Sequence, residues 1–149
     1  MQIYDDVADL ERVTGEHIRW RRAAQAIRHA PEISEGAMHS IGDSLTYLRT
    51  RRRHDTALLT GHRRYVEVIA AGNSPVRIEI AAKSDLTSCA DYSDLTDREH
   101  FQGEADALEL APGQIVVVEI DEAVRYPEEA DSPAVVVHLS VEAMTFHNK

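Results

Sequence analysis

The chain has 149 residues, a net charge of −10 and one cysteine. A single domain is the expected organisation at this length. The acidic balance excludes a nucleic acid or anionic membrane recognised through bulk charge, and Cys89 has no partner for an internal disulfide. The longest apolar runs, Ile115 to Val118 and Ala134 to Val137, fall far short of the roughly 18 residues a membrane-crossing helix needs. The acidic start, Met1-Gln2-Ile3-Tyr4-Asp5-Asp6, carries no signal-peptide core. A soluble, cytoplasmic protein is expected, with no nucleic-acid and no membrane partner.

In chain order, Asp5 or Asp6 can cap a helix running to about Val13, with Leu10 and Val13 on one face and Gly15 as its stop. Glu16 to His29 predicts a second helix. Trp20, Ala24 and Ile27 share a face at i, i+4 and i+7, Arg19, Arg21, Arg22 and Arg28 take the rest, and Pro31 ends it. From Gly36 onward the pattern is that of strands: Leu45 to Leu48, Tyr65 to Ala70, Val76 to Ala81, Ile115 to Ile120 and Ala134 to Val141. Ala71-Gly72-Asn73-Ser74-Pro75 reads as a turn making the second and third of these a pair. The prediction is a mainly β domain over 1–149, with helices at about 5–30 and a sandwich or barrel at about 36–149. The basic run Arg49 to Arg53 reads as a solvated strand end or hairpin loop. Asp91, Asp94, Asp97 and Glu99 read as a solvated acidic loop, since their spacing matches no calcium loop.

Alternation with period two assigns the strand faces. Val66 and Val68 oppose Tyr65, Glu67 and Ile69; Val76, Ile78 and Ile80 oppose Arg77 and Glu79. Val116, Val118 and Ile120 oppose Ile115, Val117, Glu119 and Asp121, and Val135, Val137, Leu139 and Val141 oppose Ala134, Val136, His138 and Ser140. Each strand thus has an apolar face and a face with titratable groups. Two dispositions are open for Glu67, Arg77, Glu79, Glu119, Asp121 and His138. They point to solvent, with Arg77 pairing Glu67 or Glu79 across strands, or, with Tyr65, they line the mouth of a closed barrel.

His62 precedes Glu67 by five residues, so strict alternation puts them on opposite faces. They converge only if His62 lies in a loop before the strand, as Gly61 allows, or if a bulge intervenes. His62 and Glu67 are then candidate metal ligands or acid–base groups. No nucleophile elbow, phosphate-binding glycine loop, His-Glu-x-x-His or paired cysteines occur.

Four stretches carry a resemblance: Gly36 to Tyr47 (GAMHSIGDSLTY), Thr60 to Val68 (TGHRRYVEV), Thr96-Asp97-Arg98-Glu99, and Phe146-His147-Asn148-Lys149. Together they resemble the small (beta) subunits of evolved β-galactosidase, within the YhcH/YjgK/YiaL family of cupin-like proteins. The resemblance implies a double-stranded β-helix barrel, or jelly roll, with the N-terminal helices packed outside. It implies an accessory chain in an oligomer with a large catalytic β-galactosidase subunit, which would hold the carboxylate pair for glycoside hydrolysis. Other members are similar to stand-alone proteins that bind a divalent metal such as zinc in the barrel and act on free sugars, for example by interconverting anomers. A sugar-binding cupin without chemistry is a third possibility. By this resemblance His62 and Glu67 match the family's first ligand positions, and Asp121 stands at a further one, where the family has His. Ile69 occupies a position where His or Gln is common, and His138 one where Lys is usual. The implied metal set is His62, Glu67 and Asp121. Tyr65, Arg77, Glu79, Glu119 and His138 are cavity or ligand-binding candidates for a sugar.

Overall fold

The computed structural model describes residues 1–14, 17–42, 45–51, 58–128 and 130–140. Gly15, Glu16, Asp43, Ser44, Arg52, Arg53, Val141 and the Phe146-to-Lys149 block lie outside the described residues.

A short strand β1 (Gln2–Tyr4) precedes the helices α1 (Val7–Thr14) and α2 (Ile18–His29). Asp6 caps α1, its carboxylate accepting from the Asp9 peptide N–H at 2.8 Å. Pro31 converts the end of α2 into a 3-10 turn at Ala30–Glu32. The strands follow as β2 (His39–Ile41), β3 (Leu45–Thr50), β4 (Leu59–Gly61), β5 (Tyr65–Ala70), β6 (Val76–Ala82), β7 (Thr87–Ser93), β8 (Arg98–Gln102), β9 (Asp106–Leu110), β10 (Ile115–Val118), β11 (Glu122–Arg125) and β12 (Ala134–Ser140). The fold is mainly β, as the turn-punctuated pattern predicts. Among the described residues, no helix is long and apolar enough to cross a membrane.

The strands form two antiparallel sheets of six, ordered β1-β10-β5-β12-β3-β2 and β7-β8-β4-β11-β6-β9. The first sheet is covered on both faces. Val66, Val68, Ile115, Val117, Val137 and Leu139 pack under the helices with Leu10, Ala23 and Ala26, and Trp20 and Ile27 close the edge. On the other face Ile69, Val116 and Val118 meet Val76, Ile78, Ile80 and Val124 of the second sheet. This double burial explains why β10 and β12 are almost continuously apolar.

Three expectations change. β5 and β6 are not partners, because they belong to different sheets. The Ala71 N–H donates to the Gln114 carbonyl at 2.9 Å, which prolongs the pairing with β10. Gly72 then packs so close to the Pro133 carbonyl that a Cβ would come within 2.3 Å of it. Segment 71–75 is therefore a crossing between sheets, and its turn chemistry alone does not say which strands pair. The faces of β10 are also exchanged. Val118 lies opposite Glu67 and Val116 opposite Ile69, while Ile115 and Val117 face the helices. The strand ends at Val118, and Glu119 and Asp121 sit in the turn to β11, where alternation no longer runs. Finally, Arg49 of the basic run does lie at a strand end, that of β3, but it is bound there and not merely solvated. Its guanidinium donates to the Ile33 carbonyl at 2.8 Å.

Leu139 on β12 is fully buried under the helices, whereas Leu95 is 93% exposed. Leu139→Ala is expected to lower the unfolding free energy by about 2–5 kcal/mol. Leu95→Ala should stay within about 0.5 kcal/mol of wild type, both read from urea denaturation midpoints.

Candidate metal centre

His62 lies in the three-residue loop 62–64 between β4 and β5, the placement that lets it join Glu67. The loop is held by Asp97, from the turn before β8. One Asp97 carboxylate oxygen accepts from the Arg63 N–H at 3.0 Å and the Arg64 N–H at 3.1 Å, and the Tyr92 hydroxyl donates to it at 2.5 Å. Asp97 takes a left-handed φ of 53°, which Asp tolerates better than most residues. Its own carbonyl then accepts from His62 Nδ1 at 2.6 Å.

A second anchor is Lys83, whose ammonium donates to the His62 carbonyl at 2.6 Å and to Glu99 at 2.8 Å. It passes directly over Gly61, where a Cβ would lie 2.5 Å from Lys83 Cε. A side chain at Gly61 would displace the end of Lys83 from its present path. Glu99 also receives the Arg63 guanidinium through both oxygens, at 3.0 and 3.2 Å. The Arg63 hydrogen bonds come first among the causes that hold the Glu99 carboxyl below its usual range. Asp97 and Glu99 are therefore buried, at 2% and 7% exposure, and are not part of a solvated acidic loop. The basic side chains and peptide N–H groups of loop 62–64 compensate them. Asp91 and Asp94 remain exposed as expected.

Glu67 faces the space between the sheets from β5, and His138 lies directly opposite it on β12. His62 Nε2 and His138 Nε2 approach the same oxygen, Glu67 Oε1, at 3.2 and 3.1 Å. The Tyr126 hydroxyl donates to Glu67 Oε2 at 2.5 Å. The two imidazoles meet edge to face, 5.4 Å between centroids. His62, Glu67 and His138 offer ligand atoms that all lie within 4.8 Å of one another, so the group can hold a metal ion. A cleft of about 180 Å³ opens against both imidazoles, lined further by Met38, Thr46, Tyr65, Thr96 and Arg98.

The donor set suits a metal. Two imidazole nitrogens and one carboxylate oxygen are typical ligands for zinc and its neighbours. The Asp97 carbonyl can only accept, so the proton of neutral His62 resides on Nδ1 and the lone pair on Nε2 points at Glu67. A lone pair against a carboxylate oxygen needs a proton or a cation between them. Burial disfavours the charged imidazole, but the hydrogen bond and charge of Glu67 outweigh it and raise the His62 pKa above its ordinary 6.5. Burial likewise opposes the Glu67 charge, yet the bonds from His138 and His62 hold its carboxyl well below the usual carboxylate range. Burial and the Glu67 charge push the Tyr126 phenol well above 10.0, so it stays a donor.

The remaining sequence candidates lie elsewhere. Asp121 is exposed in the β10–β11 turn, where its carbonyl accepts from the Lys83 N–H at 2.8 Å. It does not join His62 and Glu67, and His138 takes the third place. Glu119 shares that turn. Arg77 and Glu79 sit on the outer face of β6, away from Glu67. Arg77 faces Glu109 at 3.8 Å and Glu128 at 3.6 Å, and Glu79 pairs with Arg125 at 2.7 Å. Pairing across strands is the right description for these two, with partners other than those expected for Arg77. Tyr65 does line the cleft. Ile69 shares the face of Glu67 and contributes only to the apolar core. Tyr126 and the Asp97 anchor were missed, Tyr126 because it follows the four-residue β11 that no alternation marks. No family model matches the chain.

In metal-free protein the raised His62 pKa contributes stability that is full below 6.5 and lost as pH rises through the folded value. The depressed Glu67 pKa contributes stability present above 4.5 and lost as pH falls through its folded value. Thermal melts in chelator are therefore expected to show greatest stability between pH 4.5 and 6.5. His62→Gln should remove the decline above pH 6.5; parallel declines in both proteins would contradict the ion pair.

Proposed function

We propose that this chain is a cupin-like protein of sugar metabolism that binds a divalent metal such as zinc through His62, Glu67 and His138, and a sugar in the adjoining cleft. The observation that carries this is the meeting of two imidazoles and a buried carboxylate at the base of an open cleft. A bound metal supplies a Lewis acid for a sugar oxygen. The protein's own part is to fix His62 through Asp97 and Lys83, to hold Glu67 ionised through its histidine partners, and to exclude bulk water with the apolar core behind. Tyr65, Thr46, Thr96 and Arg98 supply hydroxyls and a cation for the ligand's oxygens. Two antiparallel sheets with outer helices are compatible with the jelly-roll barrel that the sequence resemblance implies.

A specific observation also supports the accessory role beside a large β-galactosidase subunit. The three described blocks that carry the resemblance converge on this one cleft. Gly36 to Tyr47 supplies Met38 and Thr46, Thr60 to Val68 supplies His62 and Tyr65, and Thr96 to Glu99 supplies Thr96 and Arg98. In that role the cleft is a subunit-borne sugar site, and hydrolysis stays with the partner.

Metal analysis of chain purified without chelator is expected to find one zinc or similar ion per chain, lost in the Glu67→Ala and His138→Ala variants. Exchange NMR should show faster α–β interconversion of galactose with loaded protein. Absence of stoichiometric metal would overturn the metal site. Metal without faster exchange, together with co-elution and raised lactose hydrolysis on adding a large catalytic subunit, would decide for the accessory role.

A further inference from the structure

Glu67 has two oxygens with separate duties. Oε1 is the one both imidazoles approach, at 3.2 and 3.1 Å, while Oε2 receives the Tyr126 hydroxyl at 2.5 Å. Glu67 comes from β5 of the first sheet. Tyr126 directly follows β11 of the second and is itself buried, 7% exposed, among Ile69, Val76, Val118 and Ala134. The carboxylate is thus tied across the core by a hydroxyl that enters from the opposite layer. A buried carboxylate oxygen without such a donor either rotates toward another partner or turns to the ligand already bound by its twin.

We propose that Tyr126 is a positioning residue of the metal centre, whose hydroxyl occupies Glu67 Oε2 so that the carboxylate ligates through Oε1 alone. This rests on the metal-binding reading given above. The role differs from that of a core side chain. The ring fills space between the sheets, and the hydroxyl sets which oxygen, and how many, Glu67 presents. Groups that hold a metal's ligands in this way are typically worth about 10–100-fold in affinity. Phe at this position keeps the ring and leaves Oε2 without its donor.

The test compares wild type with Tyr126→Phe in two measurements. Zinc affinity is measured by competition with a chromophoric chelator, and the visible absorption spectrum is recorded for cobalt(II)-loaded protein. Zinc affinity is expected to fall by about 10–100-fold, and the intensity of the cobalt bands to change as Glu67 alters its ligation. Loss of affinity with an unchanged cobalt spectrum would mark the hydroxyl as a packing contact and overturn the proposal, as would unchanged affinity. Should Tyr126→Phe fail to fold, 3-fluorotyrosine placed at position 126 keeps the shape and makes the hydroxyl a stronger donor. A shifted cobalt spectrum then supports the role, and an identical one overturns it. If wild type itself takes up neither metal, the metal-binding reading fails and this proposal falls with it, a result separable from a normal wild type beside an unaltered variant.

Discussion

A carboxylate at 2% exposure between two apolar sheets cannot stand uncompensated, and the Glu67 side chain is the constraint around which this structure is built. Its charge is met from three directions: His138 across the strand pair, His62 from a loop and Tyr126 from the other sheet. Each partner needs its own support. His138 needs β12 in register with β5. His62 needs loop 62–64 held where it crosses from β4 of the second sheet to β5 of the first. Tyr126 needs the second sheet packed at the right distance. The ion cluster and the tertiary arrangement therefore specify each other. Buried ionic groups of this kind stabilise little by themselves compared with apolar replacements. The ligand atoms of His62, Glu67 and His138 lie close enough together to hold a metal ion.

The loop that brings in His62 shows how that geometry is maintained. Asp97 and Glu99 lie beside Arg63, Arg64 and Lys83, so two buried carboxylates and three cations enclose a few residues of backbone. Asp97 links the levels most directly. Its side chain fixes the peptide N–H groups of the loop while its carbonyl fixes the tautomer of His62. The orientation of the ring is thus set by backbone hydrogen bonding and is less exposed to side-chain rotation. The chain's acidic excess is carried elsewhere, for example on Glu79, Asp85, Glu104 and Asp106, which line a separate wide groove. Among the described residues, those lining the cleft at the metal centre are Met38, Thr46, His62, Tyr65, Thr96, Arg98 and His138, with no carboxylate.

Much of the fold was legible because β5, β6, β10 and β12 alternate or run apolar for several residues; the helical stripe of Trp20, Ala24 and Ile27 located the packed side of α2 only roughly, since Ala23 and Ala26 enter the core and Trp20 and Ile27 stay half-buried. The pairing of strands was not legible. The 71–75 segment has the composition of a hairpin turn, yet β5 continues onto β10 and the chain leaves for the other sheet. Period two is a local rule and fails where a strand ends, so the faces of Ile115 and Val117 were misassigned from Glu119 and Asp121 beyond the end of β10. At the site, alternation put Glu67 and His138 each on the titratable face of its strand but left solvent and interior both open, and Gly61 only allowed a loop position for His62. Asp97 and Glu99 were misread because a run of acids looks solvated until its cations, Arg63, Arg64 and Lys83, are brought to it from distant positions. Asp121 was carried into the metal set by family resemblance, and its side chain is exposed in the β10–β11 turn, outside the cluster.

A metal ion held between the two imidazoles and Glu67 is the central expectation. X-ray absorption at the zinc edge of the loaded protein tests this directly. A first shell of nitrogen and oxygen at about 2.0–2.1 Å, with outer-shell scattering from two imidazoles, is the expected result, and that signal should be lost in His138→Ala. A shell containing sulfur at about 2.3 Å would place the metal on the exposed Cys89 instead. That result, or a spectrum unchanged by His138→Ala, would contradict metal binding at His62, Glu67 and His138.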